Sequence, residues 1–174
     1  MKKLVVIMLM VCIAACIIPA YADLGLYVGF DDTYINPGEE IIRDVTSGNF
    51  SFRGPAGWTQ LPDQSTPGLM YVLSPSEQEV LIVFSYDVGI ANNLDNEAQR
   101  KSLYDNLMTQ YSGTSFVDVG NGRYIRGNAG GLPCIIYLYG EGTDLLVLAY
   151  SENAPSYVPE VSDLSPYAKT VIHN

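Results

Sequence analysis

The sequence predicts an α+β fold, an antiparallel β-sheet packed by a central helix and a short C-terminal helix. Three observations predict it. Strand-length apolar runs recur along the chain, and two of them, residues 80–84 and 145–149, are unbroken or nearly so. Such runs belong to central strands covered on both faces. A single stretch, residues 95–113, spaces its apolar side chains for a helix. The links between strand runs are short and rich in Gly, Asn, Asp and Pro, which is hairpin chemistry and joins antiparallel neighbours.

The elements follow in order. Residues 23–48, dense in Gly, Asp and Pro, read as an N-terminal extension, an extended arm or an irregular edge strand, ahead of a single domain at residues 49–174. Residues 41–45 and 49–53 alternate around "TSG" and read as a hairpin. "GPAGW" is a turn, with Gly54 and Gly57 available for positive φ and Pro55 fixing its own. Residues 68–74 and 79–86 are strands joined by "PSEQ". The helix takes Asp95 as its N-cap, buries Tyr104, Leu107, Met108 and Tyr111 along one stripe, and stops at Gly113. "SFVDVGNGRYIRGN" is two strands around Asn121-Gly122. The glycine loop "GNAGG", read as hairpin geometry with a bulge, leads to a strand over residues 132–139, and "GEGTD" returns the chain through residues 145–151. After the loop "NAPSYVPE", a closing helix has Ser165 as its cap and Pro166 at its first position.

The N-terminus carries a targeting signal. Lys2 and Lys3 precede a fifteen-residue apolar run, residues 4–18, and Ala20-Tyr21-Ala22 offers a small-x-small cleavage site. The run is shorter than the roughly 20 residues of a permanent membrane helix, so residues 1–22 read as a signal peptide and the product as secreted or cell-surface. "IAAC" resembles a lipobox, which makes lipid anchoring through Cys16 the second reading; the apolar stretch after Cys16 argues against it, because a lipoprotein tether is usually polar. Cleavage after Ala22 leaves seven basic and nineteen acidic residues, a net charge of −12 against −10 for the whole chain. A chain this acidic is repelled by nucleic acid, whose binding depends on neutralising phosphates. Cys134 is then the one remaining cysteine, so no internal disulfide forms despite the oxidising destination. A monomer is expected, with no transmembrane span after cleavage and no cofactor.

Particular residues add a resemblance. The aromatic strand running into Pro-x-Gly-Trp in "FSFRGPAGW", the step "GNAGGLPCIIYLYG" after the helix and hairpin, and the two apolar strands closing into a helix together resemble the PsbP/Mog1-like fold. The resemblance covers residues 49–172. It implies a non-catalytic domain that binds or helps assemble other molecules, as do extrinsic photosystem subunits, a binder of a small GTPase and envelope lipoproteins of this fold. No functional residue carries over.

Candidate sites are few. Trp58, the single tryptophan, sits after a tight turn; it reads first as a plug over the sheet's open end and second as an anchor for a partner. Asp31, Asp32, Glu39 and Glu40 supply oxygens for a hard cation such as calcium, without the spacing of a calcium loop, so a solvated acidic patch is the default reading. Asn49 opens an N-x-S sequon and is a glycosylation candidate. Cys134 reads as a small buried hydrophobe. His173, the only histidine, reads as frayed and leaves no Ser-His-Asp or Cys-His site. Nineteen acids allow a carboxylate pair for glycoside hydrolysis, but no spacing singles one out. The sequence thus points to a secreted or surface-held, non-catalytic binding or assembly domain of the cell envelope, with an unidentified protein or envelope component as partner. A calcium-responsive module and a carboxylate-pair hydrolase are the alternatives.

Overall fold

Side chains that alternate along strands, with both sets apolar, require cover on two sides, and the structure provides it in three layers. The computed structural model of the chain describes residues 44–129, 132–154 and 156–174. In chain order these form β1 (Asp44–Ser47), β2 (Phe50–Arg53), β3 (Thr59–Pro62), β4 (Leu69–Leu73), β5 (Glu79–Asp87), α1 (Glu97–Gln110), β6 (Ser115–Val119), β7 (Gly122–Ala129), β8 (Leu132–Glu141), β9 (Asp144–Glu152), α2 (Val161–Ala168) and β10 (Ile172–His173). Seven strands make one sheet in the order β3-β4-β5-β9-β8-β7-β6, and β1-β2-β10 make a second, smaller one. Every pairing is antiparallel.

The central strands β5, β9 and β8 divide their side chains strictly. Phe84, Leu145, Val147, Ala149, Ile136 and Leu138 point to one face, where Leu94 and the α1 residues Tyr104 and Leu107 cover them. Leu81, Val83, Leu146, Leu148, Tyr150 and Ile135 point to the other, beneath Val45, Phe50, Phe52, Leu164 and Ala168 of β1, β2 and α2. Each such large side chain contributes about 1.5–3 kcal/mol when fully buried. The continuous apolar runs at residues 80–84 and 145–149 therefore lie side by side, Ile82 opposite Ala149 and Phe84 opposite Val147, as strands covered twice.

Several local expectations shift. The cap of α1 is Asn96, not Asp95: its Oδ1 accepts from the backbone N–H groups of Ala98 and Gln99. Asp95 instead accepts from the Gly142 amide at 2.9 Å and ties the β8–β9 turn to the helix start. At the other end Tyr111 is the C-cap and Ser112, with φ +51, takes the left-handed position expected of Gly113. The β6–β7 turn is Gly120-Asn121, because Val119 pairs with Gly122 and Gly120 has φ +58. α2 begins four residues before the Ser165 cap. Glu160 and Asp163 form a capping box at its start, and Pro166 lies inside the helix. Two strands, β3 and β10, were not foreseen.

The glycine loop "GNAGG" is also corrected. β7 runs through Gly127, Asn128 and Ala129 in unbroken register with β8, so no bulge interrupts it. Gly127 is there for close approach. A Cβ on it would stand 2.7 Å from the backbone oxygen of Tyr111, and the neighbouring Asn128 amide donates to that same oxygen at 3.0 Å. The end of α1 rests directly on the strand.

A second tie holds α1 to the β6–β7 hairpin. Arg123 is only 2 % exposed. Its Nε and Nη2 donate to the two oxygens of Asp118 at 2.6 and 3.3 Å, and Nη1 donates to Asp105 of α1 at 2.5 Å. The guanidinium also lies over the rings of Phe116 and Tyr104, 4.2 and 5.6 Å from their centroids. Burial works against its charge, but the two carboxylates more than offset this and raise its pKa further.

Three substitutions test these contacts by denaturant unfolding. Gly127→Ala is expected to destabilise by about 1–3 kcal/mol, the usual cost of overpacking against backbone; no loss would show that β7 and the end of α1 are further apart. Arg123→Ala is expected to cost about 2–4 kcal/mol, whereas Asp105→Asn, whose side chain is 64 % exposed, should cost under about 1 kcal/mol.

Candidate functional site

The concavity nearest to the aromatic signals of the sequence lies at the seam between the β2–β3 connection and α2. It encloses about 400 Å³ and is lined by Arg53, Pro55 and Trp58 on one side and by Pro166, Tyr167 and Thr170 on the other. Its walls follow from local chemistry. In "GPAGW" the turn closes when the Trp58 amide donates to the Pro55 carbonyl at 3.4 Å, with Gly57 at φ +73. Trp58 is then half-buried, one flank packed on the cluster beneath β1, β2 and α2, the other facing the cleft. Tyr167 is placed in the same way.

The two walls are joined at the floor. The Arg53 amide donates to Thr170 Oγ1 at 2.8 Å, and Thr170 Oγ1 donates to the Tyr167 carbonyl at 2.7 Å. The start of α2 is fixed by Asp163 Oδ2, which accepts from the Glu160 amide at 2.7 Å and from the Tyr157 hydroxyl at 2.8 Å. That hydroxyl is pushed up to about 12 by the Asp163 carboxylate first and by burial second. The Arg53 guanidinium lies in an exposed residue and makes no ion pair with a carboxylate among the described residues. The arrangement offers two aromatic rings, two prolines and one cation: surfaces for stacking, van der Waals contact and a charge-assisted hydrogen bond.

The other sequence candidates lie elsewhere. Asn49 is exposed in the β1–β2 turn, and its Nδ2 donates to Asp144 Oδ2 at 2.9 Å. His173 is not frayed. It belongs to β10, its Nε2 stands 2.8 Å from the same Asp144 oxygen, and its ring packs 4.9 Å from that of Phe50. The carboxylate Asp144 thus gathers Asn49 and the chain's end at one corner, a junction with no signal in the local sequence. Cys134 is buried, and burial pushes its thiol up to about 12, with the Gly127 backbone pulling weakly the other way. Cys16, Asp31, Asp32, Glu39 and Glu40 lie outside the described residues. Among the described residues no group of three or more His, Cys, Asp or Glu side chains is placed to hold a metal ion. None of their helices is long and apolar enough to cross a membrane.

Of the carboxylate pairs opposed across neighbouring strands among the described residues, one is bridged by a tyrosine hydroxyl. Glu79 and Glu152 face each other across β5 and β9, and the Tyr150 hydroxyl lies 2.9 Å from an oxygen of each. Burial first, and the two carboxylates next, hold that phenol well above its ordinary pKa. The pair is a clamp on the sheet's end, filled by the tyrosine.

No family model matches the chain, and no curated protein does. Solved structures do. The chain is similar to cyanobacterial PsbP (CyanoP) from Synechocystis sp. PCC 6803, at 13 % identity and a TM-score of 0.48 over 72 % of this chain and 87 % of that one. It is also similar to a protein of Bacteroides thetaiotaomicron VPI-5482, at 14 % identity and a TM-score of 0.50 over 72 % of this chain and 45 % of that one. The likeness to these solved structures is one of fold.

The buried thiol has a pH consequence. Its folded pKa is raised, so its contribution to stability is fully present below the unfolded value of about 9.0 and is lost as pH rises towards 12. Melting temperature should therefore fall across that window, and Cys134→Ala should make the fall shallower. An unchanged slope would place the thiol in water.

Proposed function

We propose that this chain is a non-catalytic binding and assembly domain, secreted or held at the cell surface, which takes a segment of a protein or envelope partner into the cleft between Trp58 and Tyr167. The observation that carries this reading is the cleft itself. Two half-buried rings are fixed by backbone on both sides, with Pro55 and Pro166 between them and Arg53 at the rim. A tryptophan needed only as a plug would be closed over; this one keeps a flank on an open cavity of about 400 Å³. Aromatic and arginine side chains of this kind carry a large share of binding energy where they line a pocket. The export signal at residues 1–22 supports the envelope as the setting, and the acidic composition argues against nucleic acid or an anionic lipid surface as partner.

The test uses the chain's single tryptophan, Trp58, as its own reporter. Intrinsic fluorescence of the purified protein should shift on addition of the partner recovered from envelope extracts. Tyr167→Ala should weaken that partner by about tenfold or more, the cost of losing an aromatic anchor, while far-ultraviolet circular dichroism stays unchanged. Capture of the partner at undiminished affinity by both Trp58→Ala and Tyr167→Ala would move the binding surface elsewhere.

A further inference from the structure

The two margins of the seven-stranded sheet are built differently. β3 ends in Pro62, which has no N–H to offer a neighbouring strand, so that edge is blunted. β6, the opposite margin, has no proline, no lysine and an unbroken register against β7. Natural edge strands are normally protected by such devices, because their unpaired N–H and C=O groups invite another strand. All five residues of β6 are exposed, and three of them are large and apolar: Phe116 at 47 %, Val117 at 54 % and Val119 at 52 %. They leave both faces of the strand apolar, since Phe116 stands on the face of Arg123 and the two valines on the other. No strand pairs with the outer side of β6 among the described residues. Its single charge, Asp118, is taken up by the buried Arg123. On a chain of net charge −10, β6 is a strip without an uncompensated charge.

We infer that β6 is a strand-pairing surface and that its occupant is β6 of a second copy of this chain, joined antiparallel. The sequence "SFVDV" is self-complementary in that arrangement. A two-fold axis at Val117 sets Val117 against its own equivalent, Phe116 against Asp118 and Ser115 against Val119. No like charges meet directly, the condition that self-pairing of an acidic chain has to satisfy. The two sheets then run on as one across the axis. A seam five residues long is smaller than the roughly 1,200–2,000 Å² interface of a stable complex, so the dimer forms reversibly and grows with concentration. Repulsion between two strongly acidic copies opposes it at long range, and salt screens that repulsion, so the dimer strengthens as ionic strength rises.

Sedimentation velocity on the purified full chain, from micromolar to millimolar and at low and high sodium chloride, tests this. The expected result is a monomer–dimer equilibrium that salt favours. Val117→Lys should weaken it by about tenfold or more, because like charges are then set directly opposite, with the melting temperature unchanged. Val117→Cys should form a disulfide-linked dimer under mild oxidation, much faster than Ser102→Cys on the exposed face of α1. A monomer under every condition overturns the inference. So does a dimer that Val117→Lys leaves intact, or cross-linking at position 117 no faster than at position 102. None of these outcomes bears on the Trp58 cleft, which lies in the layer formed by β2, α2 and their connections.

Discussion

Burial of β5, β9 and β8 on both faces is the constraint from which the other features follow. A strand such as β9, whose residues 145–150 are all buried, cannot stand in a two-layer structure with one wet face. It needs α1 on one side and the β1–β2–β10 layer with α2 on the other. The apolar area so removed from water holds this acidic body together, and no disulfide is formed by the one described cysteine, Cys134. The buried serines inside the layers are therefore matched. Ser47 Oγ donates to the Gly68 carbonyl and lies 2.7 Å from Ser85 Oγ, and Ser151 Oγ donates to the Pro133 carbonyl.

The second layer explains the cleft. α2 and β2 cover the same sheet face but arrive from opposite ends of the chain, and a seam remains where their connections meet. The turn that follows β2 and the helix that ends at Ala168 each present an aromatic side chain to that seam, bonded across its floor through Thr170. Proline on both walls limits how far either can relax. A rigid, partly apolar cavity at the junction of two layers is the ordinary setting for a binding site, and the present one needs no moving part to form.

Much of this was legible in the sequence, for reasons that vary by element. The unbroken runs in β5 and β9 announced central strands, because only two-sided cover tolerates them. The α1 stripe was visible through Tyr104, Leu107 and Tyr111, all of which are buried. Boundaries were less legible where two residues compete for one role. Asp95 and Asn96 both suit an N-cap, and tertiary demand from the Gly142 amide decided between them. Gly120 and Gly122 both flank Asn121, and the register was set by pairing with β8, not by the turn alone. β10 and the ordering of His173 depend on Phe50 and Asp144, 123 and 29 residues away, which no local window holds. Arg123 was legible only in part. It alternates in phase with buried Ile125, a charged residue on an inward position, but its partners Asp105 and Asp118 come from another element and a neighbouring strand. Trp58 follows the turn as the sequence predicts, and it is half-buried with one flank packed on the cluster beneath β1, β2 and α2.

Native-state hydrogen exchange tests the doubly covered sheet most directly. The account predicts that amides of β5, β8 and β9 exchange only through global unfolding, so that their exchange free energies match the stability measured by denaturant, while β6 and β3 exchange through smaller local openings. Amides of β9 that exchange as readily as those of β6 would contradict it, since a strand enclosed by α1 on one side and by β2 and α2 on the other has no local route to water.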